Sequence, residues 1–111
     1  MEKNWLKLDW DNISKTVMKY RAFIVFKEMN ILPIVYETNH GFHVEVGLFH
    51  NAKYSRITDA DLFALRRKFW DDPLRIDLDF KRKARGEPFD VLFHEKNGFN
   101  RRKMEFKEVF K

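Results

Sequence analysis

The chain has 111 residues, 44% of them hydrophobic and 16% aromatic, which supports one packed domain over residues 1–111 and excludes a disordered composition. Its 22 Lys and Arg against 17 Asp and Glu leave a formal charge of +5, which suits a polyanionic partner such as nucleic acid or nucleotide phosphates. The lack of cysteine excludes a disulfide framework and thiolate zinc sites, and no run reaches the ~18 apolar residues of a membrane span, so a cytoplasmic protein with no membrane partner is expected.

Trp5 to Asp11 reads as a short strand. Leu6, Leu8 and Trp10 point one way, and Lys7, Asp9 and Asp11 the other. Two carboxylates on one strand face lie about 7 Å apart along it, a cradle for hard divalent cations. The same stretch also reads as a strand ending in a helix cap, with Asp11 or Asn12 as the cap. A helix follows from Ile13 to about Asn30. Ile13, Val17, Tyr20 and Ile24 form one stripe, and Met18, Ala22, Val25 and Met29 form a neighbouring one. The run Ala22 to Phe26 also fits a strand.

Ile31 to Thr38 reads as a second strand, with Pro33 near its start. Asn39-His40-Gly41 signals a turn, and Gly41 to Phe49 a third strand, so the two should form a hairpin. In the third strand Phe42, Val44, Val46 and Leu48 face one side, and His43, Glu45 and Gly47 the other. Thr58 is a good helix cap with Asp61 at the third helical position, and the helix should run to about Trp70. Asp71-Asp72-Pro73 reads as its stop. Leu74 to Lys81 alternates as a fourth strand, with Ile76, Leu78 and Phe80 against Arg75, Asp77, Asp79 and Lys81. Phe89 to His94 is predicted as an edge strand and Arg101 to Lys111 as a terminal helix.

The predicted order is β-α-β-β-α-β plus an extra edge strand. That is an α+β antiparallel sheet with two helices on one face, the split βαβ pattern. If apolar residues face the helices, the open face carries Asp9, Asp11, His43, Glu45, Arg75, Asp77 and Asp79. A group of carboxylates, a histidine and an arginine on one exposed surface suits a metal or phosphate site, although each residue alone also reads as solvated or structural. Two basic runs remain: Lys81 to Arg85, and a tail from Lys96 with six basic residues against two acidic ones. Phe99, Phe106 and Phe110 interleave with the tail, which suits base stacking as well as packing. Lys83, Arg85, Arg101, Arg102 and Lys103 are the candidate nucleic-acid contacts.

The ordered set resembles the palm of the archaeo-eukaryotic primase superfamily, the primase–polymerases. Leu6-Lys7-Leu8-Asp9-Trp10-Asp11 is similar to that family's first motif. Thr38-Asn39-His40-Gly41-Phe42-His43-Val44-Glu45-Val46 is similar to the second, and Leu78-Asp79 or Ile76-Asp77 to the third. The resemblance covers roughly residues 5 to 95. It implies an RRM-like, ferredoxin-like fold and a nucleotidyltransferase acting on a DNA or RNA template with a nucleoside triphosphate. It further implies that Asp9, Asp11 and Asp79 (Asp77 as the alternative) hold Mg²⁺ or Mn²⁺, and that His43 contacts the triphosphate. Arg75 and Lys81 join as phosphate ligands on their face alone. Gly41 stands where the family often has Ser, and His40 where it often has another basic residue. The sequence carries only the palm, which suits a minimal or inactive form, or one completed by a protein subunit. Two other readings fit less of the sequence: a non-catalytic RRM-like nucleic-acid-binding module, and a rolling-circle nuclease, for which the His-x-His pattern is missing; a small replication subunit that works through a protein partner fits every feature.

Overall fold

The computed structural model describes residues 4–89, 95–96 and 99–111. The first strand, β1 (Trp5–Asp11), has the predicted bounds, with Leu6, Leu8 and Trp10 buried and Asp11 exposed. Asn12 turns the chain with a positive φ of 57°, and its N–H donates to the His40 carbonyl. Helix α1 (Lys15–Met29) starts at Ser14, whose side chain accepts from the Val17 N–H, and ends at Asn30 in the left-handed conformation. Of the two predicted stripes, Met18, Ala22, Val25 and Met29 is the buried one. Val17 and Tyr20 of the other stripe are exposed.

Strands β2 (Ile34–Glu37) and β3 (Gly41–Gly47) form the predicted hairpin. Two 3-10 turns, Leu48–His50 and Ala52–Tyr54, lead to α2 (Asp59–Lys68). Thr58 and Asp61 form the reciprocal capping box at its start. Helix α3 (Pro73–Ala84) follows after a four-residue turn. The chain then forms a short antiparallel pair, β4 (Glu95–Lys96) with β5 (Phe99–Asn100), then β6 (Arg102–Lys103) and α4 (Phe106–Phe110).

The fold is α+β. The main sheet is antiparallel with strand order β1-β3-β2-β6. Side chains from β1, β2 and β3 share one core with α1, α2 and α4, so these helices cover one face of the sheet. A smaller cluster of Phe63, Ile76 and Phe89 joins α2 to α3. The edge next to β2 is formed by β6.

The predicted strand at Leu74–Lys81 is instead α3. Asp72 caps it by accepting the Leu74 N–H, and Pro73 occupies its first turn, where the missing donor costs nothing. Lys81, Arg82 and Lys83 sit in the last turn and oppose the negative end of the helix dipole. The alternation misleads because Ile76 and Phe80 are also four apart. Ile76 and Asp79 form the buried helical face, whereas Leu74 is left 79% exposed. Asp71-Asp72-Pro73 therefore starts a helix as well as following one. The predicted terminal helix splits into β6 and α4. Of the predicted strand at Phe89–His94, Phe89 lies outside any strand and residues 90–94 fall outside the described residues.

Among the described residues no strand lies beyond β1, so its outer edge would expose backbone groups, a hazard for sheet edges. The α2–α3 turn covers it. The Asp71 Oδ1 accepts the Asp9 N–H at 2.8 Å, and the Arg75 Nη1 donates to the Lys7 carbonyl at 3.2 Å. Among the described residues no helix is long and apolar enough to cross a membrane.

Candidate metal centre

The strand pairing builds the sheet face away from the main core. Asp9 lies opposite His43, Asp11 opposite Gly41, and Lys7 opposite Glu45. Tyr36 pairs with His43 from the other side, and Lys103 with Tyr36. Residues directly opposite on one face bring side chains together, so Asp9, His43, Tyr36 and Lys103 form one rank across the four strands. Gly41 is required by close approach. A Cβ there would lie 2.1 Å from the Trp10 carbonyl oxygen and 2.8 Å from the Asp11 Cα.

Asp9, Asp11 and Asp72 each offer a carboxylate oxygen, all within 4.8 Å of one another. Asp72 reaches this cluster because the α2–α3 turn is pinned to the β1 edge. The pin is a buried ion network. The Arg66 Nε donates to Asp71 at 2.7 Å and its Nη2 to Asp79 at 2.8 Å, while the Arg75 Nη1 reaches Asp71 at 2.7 Å. The second Asp71 oxygen accepts both the Asp9 and the Asp72 N–H. One buried carboxylate thus fixes the backbone of two of the three clustered aspartates. Buried, hydrogen-bonded charge of this kind orients ligands more than it stabilises.

The cluster is electrostatically tense. Burial, then the Asp11 carboxylate beside it, push the Asp9 carboxyl up to about 7. Its Oδ1 is buried and has no hydrogen-bond partner. The His43 Nε2 lies 3.7 Å from that oxygen. Burial, then the Arg101 charge, push His43 down to about 4. His43 is therefore neutral at physiological pH, and its contact with Asp9 is not an ion pair despite the short separation. An orphaned carboxylate oxygen among three hard oxygen donors fits Mg²⁺ or Mn²⁺, whose charge would relieve the repulsion.

The structure brings together Asp9, Asp11 and His43 of the sequence-predicted site, and replaces the third aspartate. Asp79 is buried on α3 and held by Arg66, with Arg82 3.7 Å away. Asp77 is exposed and 3.8 Å from Lys81. A helix rises 1.5 Å per residue, so Asp79 and Lys81 sit about 10 and 13 Å along α3 from Asp72. Arg75 anchors Asp71 and the β1 edge, and its charge also acts on Asp9 and His43 of the cluster. The signal for Asp72 was in the sequence: Asp-Pro at a helix start is a cap followed by Pro in the first turn.

The predicted nucleic-acid contacts are mostly matched with carboxylates. Lys83 is 3.5 Å from Asp59, and Arg85 holds Glu87. Arg101 pairs with Glu45 and stacks 3.8 Å above the Tyr36 ring. Arg102 bridges Glu37 and Glu108, and Lys103 is exposed. No family model matches the chain, and no curated protein or solved structure does either.

Proposed function

We propose that this chain is a primase–polymerase-like nucleotidyltransferase palm that binds a divalent cation and a nucleoside triphosphate. One observation carries the reading: two aspartates of a β-strand, a third at a helix cap and a neutral histidine converge on one face of the sheet. Asp9, Asp11 and Asp72 would hold Mg²⁺ or Mn²⁺. Such an ion, when bound, neutralises phosphate charge and makes a hydroxyl a better nucleophile. His43, neutral at working pH, is suited to hydrogen-bond a phosphate oxygen without adding a positive charge that would repel the cation. The Arg66–Asp71–Arg75 network would keep the carboxylates in place while the charge in front of them changes. DNA or RNA is the template class that the basic balance favours, and a protein subunit is the natural source of any missing substrate-binding surface.

The test is a Mn²⁺ titration by calorimetry, with and without nucleoside triphosphate. It compares wild type with Asp9→Asn/Asp11→Asn and Asp72→Asn, and uses Asp77→Asn as the control. Binding that strengthens with nucleotide, falls at least about tenfold in the cluster variants and is unchanged in Asp77→Asn supports the site. Equal binding by all four proteins refutes it. A primer-synthesis assay then separates an active palm from one that only binds.

A further inference from the structure

On the other side of the Trp70-Asp71-Asp72 turn lies a second feature. A cleft of about 720 Å³ opens between α1 and α3, lined by Arg21, Arg67, Trp70, Leu74 and Phe80. That volume lies within the roughly 300–1,000 Å³ of small-ligand sites. Three independent properties mark it.

The first is charge. Arg66, Arg75, Arg82, Arg85, Arg101 and Arg102 each lie within 4 Å of a carboxylate. Among the described residues Arg21, Arg56 and Arg67 have no such partner, and two of the three, Arg21 and Arg67, line this cleft. Two acidic residues also reach it. Asp71 is neutralised by Arg66 and Arg75, and Asp77 sits beside Lys81. The cleft is thus left with an excess of positive charge.

The second is stacking. Arg21 lies 5.1 Å from the Trp70 ring and 5.6 Å from the Trp10 ring, and Arg67 lies 4.9 Å from the Phe80 ring. Trp70 and Phe80 remain 39% and 40% exposed. Two large aromatic surfaces and two guanidinium planes share one concavity.

The third is strain. α2 ends with the Asp71 N–H donating to the Arg66 carbonyl and the Trp70 N–H to the Arg67 carbonyl. This is the Schellman pattern, in which the left-handed position usually holds Gly. Here Trp70 holds it, at φ 62°. A bulky side chain in that conformation is uncommon and costly. Nothing in the helix end requires an indole there, so the cost is kept for what the indole contacts.

We propose that this cleft binds single-stranded nucleic acid, stacking a base on Trp70 and holding the flanking phosphates with Arg21 and Arg67. Aromatic platforms beside cations recognise any base that is free of a duplex. Duplex DNA hides its base faces, so a paired base cannot stack on Trp70. Trp70 and Asp72 are two residues apart, so their Cα atoms are within about 7 Å. A strand seated here would pass next to the acidic cluster, but its binding does not need that cluster or a metal.

The experiment measures fluorescence anisotropy of a fluorescein-labelled oligothymidylate about a dozen nucleotides long, roughly the length one such surface covers. It is run in EDTA, so the cluster plays no part, with an abasic oligomer of equal length and a duplex as competitors. Trp70→Gly suits the left-handed position, so the fold should survive and circular dichroism checks it. The expected result is at least about fivefold weaker binding in Trp70→Gly, the low end of a lost base stack. Arg21→Gln/Arg67→Gln should flatten the salt dependence by about 1.4 in log–log slope, two single-strand phosphate contacts. Asp9→Asn/Asp11→Asn, which removes carboxylates beside the strand, should bind at least as tightly as wild type. The proposal is overturned if the abasic oligomer or the duplex competes as well as the thymidylate, or if the arginine pair binds like wild type. Loss of Mn²⁺ binding alone would leave this site standing, and loss of oligomer binding alone would leave the metal site standing.

Discussion

The Asp9–His43 pair makes the cluster readable by stability alone. In the unfolded chain Asp9 titrates near 3.8 and His43 near 6.5; in the fold they sit near 7 and near 4. Between those values the folded Asp9 keeps a proton that the unfolded one has lost. Its stabilising effect is therefore full below about pH 4 and is lost as pH rises through about 7. His43 runs the other way. Its folded form releases a proton that the unfolded form keeps, so it costs stability below about pH 6.5 and stops costing above it. The two slopes oppose each other at about 1.4 kcal/mol per pH unit each, so wild type is flat across most of the window.

Asp9→Asn removes one slope. The full Asp9 shift of about 3 units would be worth roughly 4 kcal/mol. The side chain keeps 17% exposure, and solvent screening brings the expected effect down to about 2–3 kcal/mol. The assay is urea denaturation of both proteins in EDTA from about pH 4 to pH 8. The variant should match wild type at the acid end and gain steadily until it is about 2–3 kcal/mol more stable at the alkaline end. Saturating Mn²⁺ should stabilise wild type at the alkaline end and leave the variant unchanged. A gain that is the same at every pH, or a variant less stable at pH above about 7, would refute the placement of a tense carboxylate at Asp9.

Other substitutions test the framework. Gly41→Ala places a Cβ against the Trp10 carbonyl and should cost about 1–3 kcal/mol by denaturation; Mn²⁺ affinity should fall with it, because Asp11 lies opposite. Arg66→Ala leaves Asp71 and Asp79 buried without their main partner and should cost about 3–5 kcal/mol, the usual result of breaking a buried pair from one side. Thr58→Ala removes half of the α2 capping box and should lower stability by about 1 kcal/mol with no change in metal binding.

Local chemistry was written plainly in some segments. The alternation of Leu6, Leu8 and Trp10 against Lys7 and Asp9 set β1 to the residue, because burial on one sheet face leaves a period of two. Asn39-His40-Gly41 set the hairpin, and Thr58 with Asp61 set the start of α2, because turns and caps are made by residues a few positions apart. The α+β class and the placing of Asp9 and His43 on one sheet face followed from these; their direct pairing is a matter of register that the packed sheet decides. The fate of Leu74–Lys81 did not follow. Ile76 and Phe80 satisfy a strand and a helix alike, and the cap at Asp72 decides between them only once the Asp71 carboxylate is docked on the β1 edge. That contact spans 62 positions of sequence. It takes the place of a fourth strand, turns Asp79 inward to Arg66 and swings Asp72 towards Asp9 and Asp11. The cleft at Trp70 arises in the same turn. Periodicity and capping are short-range and can be read along the chain; which carboxylate meets which depends on how the free edge of a strand is covered, and only the packed structure decides that.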